Sequence, residues 1–147
     1  MAPFLLLLVL LSAAASDQET VTGDLGDDVI LPCRAADLPI RAVDWTRPDL
    51  EPDYVLFYRD GRLDATHQHP SFKGRVDLMD RDLKHGDVSL LLKDVSRQDA
   101  GTYECRVAAG GFRRTKRAII DSEPIRIILL QVTASNSGRE KDGTPPL

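Results

Sequence analysis

Cys33 and Cys105 are the only cysteines of this chain. They stand roughly 70 residues apart, with the lone tryptophan, Trp45, about a dozen residues after the first and Tyr103 two before the second, which is the spacing of a two-sheet sandwich pinned at its centre. Between these anchors the chain breaks about every ten residues into short runs bounded by turn residues, the pattern of an all-β sandwich rather than of strands alternating with helices. The fold class expected is therefore a β-sandwich of two antiparallel sheets.

Side-chain parity assigns faces within these runs. After Gly26-Asp27-Asp28, residues Val29, Leu31 and Cys33 share one parity, so the cysteine points inward beside two aliphatic residues. Over 42–47, inward Trp45 brings Val43 with it and turns Asp44 and Thr46 outward. The run 54–59 is apolar on both parities and closes on an Asp60-Gly61 turn. Either Val55 and Phe57, or Tyr54, Leu56 and Tyr58, are left outward, as a contact patch or as a satellite cluster covered by a neighbouring loop. Val76, Leu78, Val88, Leu90 and Leu92 supply the opposite inner wall, from runs at 75–78 and 88–93. After the turn 96–101, Tyr103, Cys105 and Val107 point inward, leaving Glu104 and Arg106 outward; 125–132 reads as the last strand.

The ends set the compartment. An apolar run over 4–11, too short to span a bilayer, leads into Ser12-Ala13-Ala14-Ala15-Ser16, which reads as a signal peptide over 1–16. Export to an oxidising compartment favours bridged cysteines over free thiols or metal ligands. One domain over 17–133 follows, and then a polar, Gly/Pro/Ser-rich tail or linker, expected to be disordered, over 134–147. The strand at 125–132 contains Arg126 and Gln131 and is too short for a membrane span. The expected location is extracellular, secreted as the sequence is written, or the external side of the plasma membrane where a membrane segment lies outside it.

A net charge of −4 gives no overall signature for nucleic acid or anionic membrane. No Gly-x-Ser-x-Gly, His-Glu-x-x-His or phosphate-loop motif is present, and the His67/His69 pair has no placed third ligand. The expectation is a protein that is not an enzyme, with no catalytic residue, metal, cofactor or small-molecule substrate.

With Gly26-Asp27-Asp28-Val29-Ile30-Leu31-Pro32-Cys33, Tyr58-Arg59-Asp60-Gly61, Phe72-Lys73-Gly74-Arg75-Val76 and Asp99-Ala100-Gly101-Thr102-Tyr103-Glu104-Cys105, the chain resembles an immunoglobulin V-set domain. More narrowly it resembles the butyrophilin, myelin oligodendrocyte glycoprotein and T-cell costimulatory-ligand group, over about Gln18 to Val132. The resemblance implies an inter-sheet disulfide between Cys33 and Cys105, a core pin of Trp45 and Tyr103, and a salt bridge from Arg75 to Asp99 closing one end of the sandwich. It also implies a recognition module that binds a cell-surface protein receptor, with T cells as the cell addressed and immune signalling as the outcome. Homophilic or junctional adhesion, and a soluble decoy of a membrane-bound relative, are the alternatives.

The partner-binding residues expected are outward Asp44, Thr46, Glu104 and Arg106, together with the basic stretch Gly110-Gly111-Phe112-Arg113-Arg114-Thr115-Lys116-Arg117, where Phe112, Arg113 and Arg114 would serve as anchors. The same stretch also reads as a solvated basic loop, or, before Ala118, as a convertase cleavage site. The antigen-receptor joining motif Phe-Gly-x-Gly is absent, which disfavours a rearranging receptor domain.

Overall fold

A computed structural model describes residues 18–36, 39–109 and 123–134. The sequence expectations for the signal peptide at 1–16, for nearly all of the tail at 134–147, and for Phe112, Arg113 and Arg114 fall outside the described residues. Within them, nine strands form two sheets. In chain order these are β1 (Gln18–Asp24), β2 (Val29–Leu31), β3 (Ile40–Thr46), β4 (Leu56–Arg59), β5 (Arg62–Leu63), β6 (Val76–Leu78), β7 (Leu90–Leu92), β8 (Gly101–Ala109) and β9 (Arg126–Thr133). The front sheet runs β1-β9-β8-β3-β4-β5 and the back sheet β2-β7-β6.

Every ladder is antiparallel except one. β1 runs parallel to β9, from Gln18 beside Ile127 to Asp24 beside Thr133. A parallel pair needs a long crossover, and here the whole domain between first and last strand supplies it. β1 has no counterpart in the sequence reading, because Gln18-Glu19-Thr20-Val21-Thr22-Gly23-Asp24 offers one aliphatic side chain and no alternation.

The two sheets enclose a core of Leu31, Val43, Trp45, Leu90, Leu92, Tyr103, Ile128 and their neighbours. Each large apolar side chain sealed there contributes about 1.5–3 kcal/mol. Cys33 on the back wall is bridged to Cys105 on β8. The Trp45 indole N–H donates to the Val88 carbonyl at 3.0 Å, so the one polar atom of that ring is satisfied inside the core. Ile30, between inward Val29 and Leu31, is 47% exposed, as parity requires. Pro32 falls just past the paired residues of β2, at the sheet's edge, where its missing N–H removes no ladder bond.

The run before the Asp60-Gly61 turn is buried throughout, from Tyr54 to Tyr58. Val55, Leu56 and Tyr58 join the main core, whereas Tyr54 and Phe57 form a satellite cluster with Ala42 and Ala108. The strand itself starts only at Leu56, so Tyr54 and Val55 escape a single parity. The following segment covers the cluster. His67 N–H donates to the Tyr54 hydroxyl at 3.0 Å, that hydroxyl donates to the Asp64 carbonyl at 2.8 Å, and the Gln68 amide reaches the Val55 carbonyl at 2.9 Å. No aromatic patch is left open on β4.

Asp44 requires a correction. Parity puts it on the outer face of β3, but it is only 2% exposed. It sits in register between Phe57 on β4 and Arg106 on β8, whose longer side chains flank its short carboxylate.

Candidate recognition face

The outer face of the front sheet collects the side chains that parity turns away from the core. On β9 and the residue before it, even-numbered Ile128 and Leu130 are buried, which leaves Ile125, Ile127 and Leu129 along the outer side. Ile125 and Leu129 are 38% and 40% exposed. Ile127 between them is half-buried, and an aliphatic row on an outward sheet face is a candidate contact surface.

Beside the stripe lies a polar network. Glu104 is in register with Ile127 on one side and Thr46 on the other. The Arg106 guanidinium donates to Glu104 Oε1 at 2.8 Å and to Thr46 Oγ1 at 3.0 Å. Both charged side chains are under one-fifth exposed, so the pair is shielded and its geometry held. The fold thus brings Thr46, Glu104 and Arg106 together and sinks Asp44 beside them. From β9 to β4 the face reads aliphatic stripe, ion pair, buried aromatic cluster: an apolar area beside a fixed arginine, the composition favoured at the centre of protein interfaces.

Sequence reasoning named the polar half of this face and missed the aliphatic half. The signal was present: Ile125-Arg126-Ile127-Ile128-Leu129-Leu130 is apolar on both parities, so one set had to be exposed on a strand whose other set is core.

At the far end of the sandwich, Arg75 forks onto Asp99, with Nη1 to Oδ2 at 3.0 Å and Nη2 to Oδ1 at 2.9 Å. Hydrogen bonding to the Asp99 carboxylate raises the Arg75 pKa above its ordinary value despite partial burial. Asp99 also accepts the Ser96 N–H at 2.8 Å, closing a capping box on the turn 97–99. Arg47, absent from the sequence candidates, is buried there and donates to the Gln98 carbonyl and to Asp49. This end is a structural clasp. His69 Nδ1 accepts the Ser71 N–H at 3.2 Å and so caps the turn 70–72.

The family Immunoglobulin V-set domain matches residues 16–120. The chain belongs to the immunoglobulin V-set family. As a V-set domain it is a recognition module and not an enzyme, and its relatives include immune co-regulatory ligands. It is 28% identical to mouse "Programmed cell death 1 ligand 1" over 124 residues, covering 81% of this chain and 42% of that protein. It is 31% identical to rat "V-set domain-containing T-cell activation inhibitor 1" over 91 residues, 60% of this chain and 32% of the relative. Among solved structures, bovine butyrophilin superposes with a TM-score of 0.61 at 25% identity, over 79% of this chain and 51% of that one. The V-set chain thus spans less than half the length of these curated relatives. No helix among the described residues is long and apolar enough to cross a membrane.

Proposed function

We propose that this V-set domain binds a protein receptor on another cell through the outer face of its front sheet, and that the outcome is modulation of T-cell activation. The observation that carries the reading is the outward aliphatic row of exposed Ile125 and Leu129 with half-buried Ile127 between them, beside the Arg106–Glu104 pair. A flat apolar area next to a preorganised arginine supplies both buried area and orientation to a protein partner, and offers no enclosed cavity for a small molecule. The names of two relatives, a ligand of programmed cell death 1 and an inhibitor of T-cell activation, support the cellular setting.

The test is staining of resting and activated T cells with tetramers of the protein, compared with Leu129→Asp and Arg106→Glu variants. Wild-type tetramers are expected to stain a T-cell subset, and each variant to lose about tenfold or more in half-maximal binding. Staining unchanged in both variants overturns the front-sheet assignment. Absence of T-cell staining, together with micromolar self-association in sedimentation that the same variants abolish, replaces the reading with homophilic adhesion.

A further inference from the structure

The geometry points to a second site, independent of the front-sheet reading: a cleft of about 560 Å³ at the loop end of the sandwich, which we propose takes an acidic peptide segment of a partner protein. The cleft lies between the start of β3, the β4–β5 turn and the segment that joins β6 to β7. Ile40, Tyr58 and Leu83 give it apolar lining, and Arg41, Arg81 and Lys84 give it cations. Asp82 is the one carboxylate among its described lining residues and Asp77, outside the lining, pairs with Arg81, so the positive excess at the cleft rests on Arg41 and Lys84, in a chain whose net charge is −4.

The cleft is built rather than incidental. The Tyr58 hydroxyl donates to the Arg81 carbonyl at 2.9 Å and ties the β6–β7 segment to β4. On its other side Ala35 N–H donates to the Gly86 carbonyl at 2.8 Å and the Arg34 guanidinium reaches the His85 carbonyl at 2.6 Å. Gly86 allows this approach, since a Cβ there would stand 2.7 Å from the Ala35 carbonyl oxygen. Leu83 is held at φ 62°, unusual for a residue with a branched side chain, and is 8% exposed. Conformations of that kind persist where the surroundings impose them, and they concentrate at binding sites.

The chemistry of the lining selects the occupant. Asp77 grips Arg81 through two bonds of 2.9 and 3.1 Å, which fixes the guanidinium while half of the side chain stays in solvent. Arg41 and Lys84 are exposed. One fixed guanidinium and two exposed cations around an apolar floor fit carboxylates flanking an apolar side chain, with the volume of an ordinary ligand pocket.

The probe is fluorescein-labelled Glu-Glu-Phe-Glu-Glu, with Gln-Gln-Phe-Gln-Gln and 3′-sialyllactose as comparators, added to the protein expressed from the full sequence. Anisotropy is expected to give the acidic peptide at least about tenfold tighter binding than its Gln counterpart, weakening with added salt. Amide shifts in NMR spectra are expected at 40–41, 58–61 and 81–84. The Arg41→Glu/Lys84→Glu variant, altered only at exposed side chains, is expected to lose about tenfold or more while keeping wild-type Trp45 fluorescence. Leu129→Asp is expected to bind the peptide normally, which separates this site from the front sheet. Equal binding of the Gln peptide, retention in the double variant, shifts confined to the front sheet, binding of sialyllactose without the peptide, or self-association in place of peptide binding would each overturn the proposal.

Discussion

The Tyr103 hydroxyl donates to the Asp99 carbonyl at 2.6 Å, and its ring lies 5.3 Å from the Arg47 guanidinium carbon. Burial pushes its pKa up to about 12 against the attraction of Arg47. Because the folded state holds the phenolic proton more tightly than the unfolded chain, this contribution is whole below pH 10 and is lost as pH rises from about 10 to about 12. Urea midpoints measured across that window are expected to fall, by on the order of 2 kcal/mol in unfolding free energy, and Tyr103→Phe is expected to flatten the slope. At neutral pH the same substitution leaves the Asp99 carbonyl without its donor and is expected to cost about 1–2 kcal/mol. A pH slope identical in wild type and Tyr103→Phe would place the titrating group elsewhere.

Among the elements, β4 shows most clearly how packing outruns periodicity. Phe57 meets Tyr54 edge to face at 5.7 Å in a cluster outside the main core. Phe57→Ala is expected to cost about 3 kcal/mol in urea unfolding, as for a core aromatic; a loss under about 1 kcal/mol would make the cluster a mere surface cover. Strands β2, β3 and β8 were legible in the sequence because each carries or leads into an inward anchor whose parity orders its neighbours, Cys33, Trp45 and Cys105, and β9 was legible as an apolar run too short for a membrane span. β1 was not, since it is held by backbone pairing to β9 and has few side chains in the core. Parity likewise puts Asp44 on a face but says nothing about depth, which depends on how large the neighbours across the ladder are. The aliphatic half of the recognition face was readable but went unread. The loop-end cleft was not readable at all, because it joins three segments that only tertiary structure brings together.

For the molecule as a whole, one covalent link joins the two walls, across a sequence separation of 72 residues. By the chain-entropy account such a closure is worth about 4 kcal/mol, a large share of the roughly 5–15 kcal/mol that holds a domain folded. Cys33→Ala/Cys105→Ala is expected to lose about that much in urea unfolding, and a loss below about 1 kcal/mol would show that packing around Trp45 suffices by itself. The parallel union of β1 and β9 has a directional consequence. Antiparallel β8 carries Gly101 at the clasp end and Ala109 beside Ile40 at the cleft end, so Thr133 leaves the sheet near the clasp, while Gln18 enters part-way along the sheet, level with Ile127 and Glu104. Any anchor or module joined after Thr133 would therefore hold the domain by its clasp, pointing the cationic cleft away from the attachment and turning the aliphatic stripe sideways. Two faces presented along different axes can meet two partners at once.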